Sequence, residues 1–286
     1  MIRIENLVKV FNPGTADETR ALNDITLRVN KGDFITIIGS NGAGKSTLYN
    51  AISGTVPVTS GHIFIRDDDR YGAPYSSLDA VRNIPQNGER EITREAEYRR
   101  FRYIGRIFQN PLLGTAGKMS LEDNMVICHK KGYKGLKISL NRRMREEFRE
   151  QLRVLDMGLE NRLQDNVELF SGGQRQALTL LMTVMSRPSL LLLDEHTAAL
   201  DPRNAELIMN LTVKFARDYR LTVMMITHNM NHALEFGNRL LMMDCGEIIL
   251  DIDAAEKAKL SAADIVQRFK NIKKKDLAND EILLGS

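Results

Sequence analysis

Several features that mark particular classes of protein are missing from this sequence. It has no tryptophan, only two cysteines and seven prolines in 286 residues, and aromatic residues make up only 6% of the chain. Two cysteines, Cys128 and Cys245, are too few for a disulfide framework, and their spacing does not suit a metal site. We therefore interpret both as buried or incidental thiols.

Long apolar runs are missing as well. The longest, such as 190–193 and 221–226, fall far short of the roughly 20 residues that cross a bilayer. The first ten residues mix charged and apolar side chains and contain no continuous apolar signal-peptide core. We expect the chain to stay in the cytosol and to reach any membrane through a partner.

An excess of charge of one sign is also lacking. Lys and Arg number 40 against 37 Asp and Glu, and a net charge of +3 is too small to predict a nucleic-acid partner. What is present is ordinary for a soluble globular protein, with 43% hydrophobic and 27% charged residues. The length suits one domain with a subdomain rather than two copies of a domain.

The first thirty residues predict antiparallel strands. Apolar residues alternate with polar ones on both sides of a Pro-Gly turn at Pro13 and Gly14. The segment 33–38 is short, apolar and β-branched, which predicts a buried strand. It leads into a glycine-rich turn and a helix over 46–53.

The later sequence predicts a βαβ unit and a helical middle section. Segments 190–193 and 222–227 suit buried strands, with a helix over 204–219 between them. The spacing of the apolar residues from 140 to 155 predicts an amphipathic helix; they are Leu140, Met144, Phe148, Leu152 and Leu155.

Two charged segments favour solvated structure. Residues 66–100 combine many Arg and acidic residues with Gly and Pro breaks, which predicts a solvated, mobile insertion rather than a docking arm. The tail 251–286 is predicted to be helical and charged. Its run 273–275 is interpreted as solvated rather than lipid-binding.

One glycine-rich segment matches the phosphate-binding P-loop pattern in its predicted context of strand and helix. Its residues are Gly39, Ser40, Asn41, Gly42, Ala43, Gly44, Lys45 and Ser46, with Thr47 supporting the same corner. The glycines let backbone N–H groups turn toward phosphates, and the helix N-terminus favours negative charge. Lys45 is expected to reach the β- and γ-phosphates and Ser46 to hold Mg²⁺.

The strand over 190–193 is followed by two carboxylates. A P-loop ATPase needs a second Mg²⁺ anchor and a residue that orients water. Asp194 is assigned to the metal and Glu195 to the water. An apolar strand that ends in Asp-Glu is common by itself, and the interpretation depends on the other motifs.

The most specific segment is Phe170-Ser171-Gly172-Gly173-Gln174-Arg175-Gln176, which precedes Asp194 by 20 residues counted from Gln174. Here the chain resembles the ABC ATPase family, whose signature is Leu-Ser-Gly-Gly-Gln. The resemblance spans roughly residues 2–247. It implies an α/β fold with a P-loop NTPase core over 1–250, an antiparallel β subdomain and an inserted helical subdomain at about 110–180.

The resemblance also implies how two chains share ATP. Ser171, Gly172 and Gly173 can present a hydroxyl and unhindered N–H groups to a γ-phosphate, with Gln174 completing the motif. In the family, the signature of one subunit closes over ATP held by the other. A head-to-tail homodimer with two ATP sites is therefore implied.

Four further positions match the family plan. Gln109 resembles the Q-loop glutamine that senses Mg²⁺ and water, and His228 resembles the switch histidine that contacts the γ-phosphate. Asp201 resembles the D-loop residue at the dimer interface, although an isolated Leu-Asp-Pro is more often a helix cap. Phe11 occupies the place of an aromatic residue that stacks on adenine.

Two positions depart from the family pattern. Phe170 replaces the usual Leu of the signature, an apolar exchange that should keep the packing role. His196 stands where the family has Pro after the catalytic Glu, so the backbone there is less restrained. We do not interpret His196 as a second catalytic base.

The resemblance implies an ATPase subunit at the cytoplasmic face of the membrane that powers a separate permease. Import is favoured, with a solute-binding protein as a further partner and an amino acid as a candidate solute. The alternative is a soluble ABC ATPase of a protein-assembly system such as iron–sulfur cluster assembly. Both hypotheses require the same ATP and Mg²⁺ chemistry.

Overall fold

The computed structural model describes residues 2–66, 88–129 and 140–284, with side chains described as far as Lys273. The strands are β1 (Ile2–Phe11), β2 (Thr19–Val29), β3 (Phe34–Gly39), β4 (Ser60–Arg66), β5 (Glu89–Glu91), β6 (Ile104–Ile107), β7 (Leu190–Asp194), β8 (Thr222–Ile226), β9 (Arg239–Asp244) and β10 (Glu247–Ile252). The helices are α1 (Lys45–Ser53), α2 (Glu97–Arg100), α3 (Leu121–His129), α4 (Arg142–Arg153), α5 (Gly172–Met185), α6 (Pro202–Asp218), α7 (Met230–Glu235), α8 (Ala254–Lys257) and α9 (Ala262–Leu284).

A six-stranded sheet forms the centre of the fold, in the order β10-β9-β3-β8-β7-β6. Its strands run parallel from β9 to β6, and β10 pairs antiparallel at one edge. Parallel strands are covered on both faces, which explains their nearly continuous apolar sequences. The carboxyl ends of β3, β6, β7 and β8 therefore lie along the same edge of this sheet.

The predicted antiparallel strands belong to a second sheet, in the order β2-β1-β4-β5. Ile2 pairs with Val29 and Ile4 with Leu27, and all four side chains are buried. The alternation of apolar and polar residues thus produces one buried face, as expected for a sheet covered on one side.

The two faces of the central sheet pack against different cores. Leu190 and Leu192 of β7 pack with α1 and the antiparallel sheet, whereas Leu191 and Leu193 pack with α3 to α6. This division follows from the period of two along a strand. The P-loop helix α1 and the signature helix α5 consequently lie on opposite faces of the sheet.

The amphipathic helix predicted over 140–155 is present as α4. Met144, Phe148 and Leu152 are buried, as their spacing predicted. The helix begins at an Asn141 cap, whose side chain accepts a hydrogen bond from the Met144 N–H at 2.9 Å. Helices α3, α4 and α5 all lie between β6 and β7 along the chain.

The interpretation of 66–100 as a solvated insertion is wrong for its last part, whereas 67–87 lies outside the described residues. Strand β5 pairs with β4, and Ile92 is fully buried. Arg100 is buried too and donates to the carbonyl oxygens of Ala51 and Ile52 at 2.7 and 2.9 Å. These carbonyls belong to the last turn of α1, so Arg100 caps the P-loop helix.

The C-terminal segment packs against β9 and α7 rather than standing apart. Ile252 of β10 and Ile265 of α9 are buried in a third apolar cluster with Ile38 and Ala233. Of the run 273–275, Lys273 forms an ion pair with Asp244 at the end of β9 while 42% of its side chain stays exposed. The side chains of 274 and 275 lie outside the described residues. Over the described ranges, no helix is both long enough and apolar enough to cross a bilayer.

Candidate active site

The P-loop joins β3 to α1 and depends on glycine at two positions. Gly39 has φ of +149°, and a Cβ atom there would lie 2.1 Å from the carbonyl oxygen of Met243. Gly44 has φ of +94°, and its Cβ would lie 2.4 Å from the Ala21 carbonyl oxygen. Gly44 is also the N-cap of α1 and provides no side-chain cap. The first N–H groups of α1 therefore stay available to an anion.

Lys45 is folded into this loop. Its ammonium donates to the carbonyl oxygens of Gly39 at 2.8 Å and Ser40 at 2.9 Å. The residue is only 6% exposed. Burial lowers the pKa of Lys45, while the charges of Glu195 and Asp194 oppose that shift. Phosphate oxygens are stronger partners of an ammonium than carbonyls, so a phosphate can replace them.

The rest of the P-loop combines exposed residues with residues that contact the surrounding structure. Asn41, Gly42 and Ser46 are exposed, whereas Ala43 is buried. The Ser40 hydroxyl donates to the Asp244 carboxylate at 2.9 Å, and Lys273 pairs with the other oxygen of that carboxylate. The C-terminal helix is thereby connected to the P-loop.

Asp194 and Glu195 lie at the carboxyl end of β7. Asp194 forms an ion pair with Arg106 of β6, with Nη2 of the arginine 3.0 Å from Oδ2. Glu195 has a left-handed backbone, with φ of +49°, and its N–H donates to the Ile226 carbonyl at 3.2 Å. Such a backbone is strained for a residue other than glycine, and strained residues concentrate at functional sites.

His228 follows β8 and reaches the neighbouring strand end. Its Nε2 lies 2.6 Å from Oε1 of Glu195. Strands β7 and β8 are adjacent, with Asp194 opposite Ile226 in the parallel register, which places the two side chains at the same edge. The structure therefore brings Lys45, Asp194, Glu195 and His228 together.

Gln109 and Phe11 are placed at exposed or partly exposed positions. Gln109 lies two residues beyond β6 and is exposed, in line with a loop position. Phe11 is the last residue of β1, and the Lys9 ammonium lies 4.7 Å from its ring centroid. A partly exposed ring at a strand end can stack on a base.

The signature residues begin α5 with a reciprocal capping box. The Ser171 hydroxyl accepts from the Gln174 N–H at 3.2 Å, and the Gln174 side chain accepts from the Ser171 N–H at 3.1 Å. This arrangement is worth about 1 kcal/mol to the helix. It satisfies the N–H groups of Ser171 and Gln174 and leaves those of Gly172 and Gly173 at the open end of α5.

Asp201 is the N-cap of α6, which is the simpler of its two predicted roles. Its carboxylate accepts from the backbone N–H of Asn204 at 3.1 Å and from its side chain at 2.6 Å. These bonds hold the pKa of Asp201 below its usual value. A Cβ on Gly173 would lie 2.7 Å from Asn204, so the starts of α5 and α6 are in close contact.

His196 is buried and neutral, in line with the expectation that it is not a second base. It is 1% exposed, and its Nε2 lies 3.1 Å from the Thr212 hydroxyl. Burial, with a smaller contribution from the charge of His232, lowers its pKa to about 4. Its carbonyl accepts from the Gln176 side chain at 2.7 Å, which ties α5 to the loop after Glu195.

Sequence reasoning missed one residue of this site, Arg106. It lies in the short strand β6 between the buried residues Gly105 and Ile107. An arginine inside a buried parallel strand is unusual, because an unpaired charge there is costly. The unusual arginine could be recognised in the sequence, but its pairing with Asp194 could not.

The donors at this edge fit Mg²⁺. Ser46 offers a hydroxyl, Asp194 a carboxylate and Gln109 an amide oxygen, which are the hard oxygen ligands that Mg²⁺ prefers. In the described part of the chain, no group of three or more His, Cys, Asp or Glu residues could hold a metal. Mg²⁺ normally takes one or two protein carboxylates and completes its shell with water and substrate phosphates.

Comparisons with known proteins identify the family of the chain. The family model described as ABC transporter matches residues 22–198. The tyrosine transport ATP-binding protein of Clostridioides difficile is 37% identical over 94% of this chain and 98% of its own. The methionine import ATP-binding protein MetN 2 of Enterococcus faecalis is 32% identical over 99% of this chain and 75% of its own.

Solved structures share the fold. A dimeric post-hydrolysis state of the ATP-binding cassette MJ0796 with ADP and Pi has a TM-score of 0.64 at 25% identity, covering 89% of this chain and 99% of that one. The ADP conformation of the cassette MJ1267 has a TM-score of 0.68 at 25% identity, covering 90% and 92%. The chain belongs to the ABC transporter family, as an ATP-binding subunit that hydrolyses ATP.

Proposed function

We propose that the chain works as a head-to-tail homodimer that binds two ATP molecules with Mg²⁺ and drives amino-acid import through a separate permease. The main observation in support of ATP hydrolysis at this site is the Glu195–His228 pair beside the Lys45 loop. It supports a site in which a water-orienting carboxylate lies close to a phosphate cradle.

In this proposal, Glu195 orients a water and accepts its proton as the water oxygen attacks the γ-phosphorus. The bond between that phosphorus and the bridging oxygen breaks in line with the attack, and ADP leaves with the bonding electrons. Lys45 and His228 stabilise the charge on the transferring group. Ser46 and Asp194 would hold Mg²⁺, which would neutralise phosphate charge, and Gln109 would respond to its presence. Phe11 stacks on adenine.

The dimer is proposed because one chain supplies only part of this site. The P-loop helix α1 packs against the apolar core on one face of the central sheet, and the signature helix α5 packs against the core on the other face. The N–H groups of Gly172 and Gly173, with the Ser171 hydroxyl, are suited to the γ-phosphate on a second copy of the chain. Asp201 would lie near that interface. The dimeric cassette among the similar structures supports this arrangement.

Transport is proposed from the relatives and from one exposed surface. The relatives carry the names of tyrosine transport and methionine import proteins. Leu112 and Leu113, just beyond Gln109, are 56% and 64% exposed, and exposed apolar side chains of this kind suit a protein partner. We place the dimer at the cytoplasmic face of the membrane, docked there on the permease, with a solute-binding protein as a further partner. The similar proteins do not favour iron–sulfur cluster assembly.

The test is to purify the tagged chain from detergent-solubilised membranes and identify its partners by mass spectrometry. We expect a stoichiometric multi-spanning protein, and Leu113→Asp should lose it while ATP hydrolysis by the isolated chain persists. Tyr219→Asp is the matched control, because Tyr219 is 49% exposed at the end of α6. Recovery of soluble proteins alone would contradict the transport proposal and leave the ATPase intact.

The solute is tested on the recovered complex in lipid vesicles. Tyrosine or methionine, presented with the solute-binding protein, should stimulate ATP hydrolysis, while a phosphonate should not. The phosphonate is a fair competitor, because an import protein for phosphonates from Lactobacillus acidophilus is 28% identical over 93% of this chain. Stimulation by the phosphonate alone would contradict the amino-acid assignment.

A further inference from the structure

The Arg106 guanidinium is nearly enclosed and makes polar contacts with three residues. Its side chain is 6% exposed. Nη2 donates to Asp194 at 3.0 Å, and Nη1 donates to the Asn50 side-chain oxygen at 2.7 Å and to the Ser53 hydroxyl at 3.3 Å. Burying a guanidinium costs free energy because the charged group loses its water. It is retained only where partners compensate for that loss.

These contacts connect three elements of the site. Arg106 pairs with Leu192 in the parallel register of β6 and β7, so its side chain lies on the face that packs against α1. Asp194 lies on that same face, two residues beyond Leu192. Asn50 lies one turn after Ser46 on α1. One side chain therefore connects the strand before Gln109, the P-loop helix and the carboxylate of β7.

We propose that Arg106 is a positioning residue of the ATP site, which holds Oδ2 of Asp194 so that Oδ1 is presented to the cation that accompanies ATP. This inference rests on the proposed role of Asp194. Partners behind a metal-binding carboxylate fix its orientation, and their loss weakens metal binding. The Asn50 contact fixes the guanidinium in turn, and the Phe108 ring, with its centroid 4.6 Å away, covers it.

The positive charge of Arg106 does not repel the cation that arrives. Mg²⁺ enters bound to the phosphates of ATP, and this complex carries a net negative charge. A positively charged side chain next to Asp194 therefore does not oppose binding of the complex. The contact between Arg106 and Oδ2 fixes the direction of the carboxylate. We therefore expect loss of Arg106 to weaken the binding of Mg²⁺, because the carboxylate of Asp194 loses its fixed orientation.

The experiment measures nucleotide binding without relying on turnover. A fluorescent ATP analogue is titrated by anisotropy in EDTA and then at increasing Mg²⁺, for the wild-type chain and Arg106→Met. We expect binding in EDTA to be unchanged and the Mg²⁺ concentration for half-maximal enhancement to rise about 10-fold or more, the range seen when a metal ligand loses its supporting partner.

Three further variants complete the design. Asn50→Leu keeps both charges and removes the anchor on α1, so it should raise the Mg²⁺ requirement by a smaller factor. Arg145→Met removes an ion pair to Glu122 in the helical region, with Nε 2.8 Å from Oε2, and should leave the Mg²⁺ requirement unchanged. A conservative Arg106→Lys should recover part of the loss, because it keeps a donor for Asp194.

Each result decides the question. An Mg²⁺ requirement that stays constant or falls in Arg106→Met overturns the inference, and if that variant does not fold, an unchanged requirement in Asn50→Leu does so. A wild-type chain that binds the analogue without any Mg²⁺ enhancement contradicts the proposed function of Asp194 instead. The two failures are therefore distinguishable.

Discussion

His228 Nε2 and Glu195 Oε1 lie 2.6 Å apart at the ends of adjacent parallel strands. Glu195 is held there in a left-handed backbone by its hydrogen bond to the Ile226 carbonyl. A strained residue persists only where the surrounding structure fixes it. We infer that the carboxylate and the imidazole act as one unit. A substitution of either residue should therefore change the position of the other side chain.

The first prediction concerns the water-orienting base. Glu195→Gln keeps the shape of the side chain and removes its charge, so ATP binding should persist within a few-fold while turnover falls about 100-fold or more. Phosphate release and ATP binding should be measured on the same preparation. Glu206→Gln, at an exposed position of α6, is the control and should hydrolyse ATP normally. Near-normal turnover in Glu195→Gln would rule out this role.

The second prediction tests whether the two ATP sites are shared between chains. Lys45→Ala disables the P-loop and Ser171→Arg blocks the signature, so each homodimer should be inactive. In a mixed dimer, one site carries both defects and the other is intact. Mixing the two variants should therefore restore ATP hydrolysis, up to about half of the wild-type rate. No recovery, in a mixture shown by affinity tags to contain mixed dimers, would contradict shared sites.

The third prediction separates backbone strain from close contact in the P-loop. Gly39→Ala should abolish ATP binding or prevent folding, because the new Cβ would lie 2.1 Å from the Met243 carbonyl oxygen. Gly158→Ala is the matched control, since Gly158 has φ of +70° with nothing within 4 Å. It should lower the free energy of unfolding by only about 1 kcal/mol. Equal losses in both variants would show that contact with β9 has no role.

The fourth prediction is a loss of stability in acid that depends on His196. Burial lowers the pKa of His196 from 6.5 to about 4, so the unfolded chain takes up a proton before the folded chain does. The free energy of unfolding should therefore fall as the pH falls from about 6.5 to 4, by up to roughly 3 kcal/mol from this group. Urea unfolding at several pH values measures it.

Two variants test that assignment. His196→Gln should flatten the pH dependence between about 6.5 and 4, whereas His232→Gln should keep most of it, because the charge of His232 is the smaller cause of the shift. If the slopes of wild type and His196→Gln coincide over this range, another group is responsible.

Much of the site could be predicted because its signals are local. The P-loop pattern depends on glycines at positions of positive φ and on a lysine at fixed spacing, and both are properties of adjacent residues. Ser171 and Asp201 were likewise identifiable, but their N-cap contacts show that a functional motif can also have a simple structural role. The charged segment was harder, since nothing in its composition predicts that Ile92 and Arg100 are buried.

The sequence by itself determined the family, the strands β3, β7 and β8 of the central sheet and the residues available for ATP chemistry. Period, glycine placement and motif order depend on neighbours along the chain. Only the tertiary structure decided that Glu195 meets His228 and that Arg106 connects Asp194 to α1. These contacts join residues separated by 33 to 88 positions. The pairing of β7 with β6 and β8 fixes them, and the residues of one strand do not reveal which strands will lie beside it.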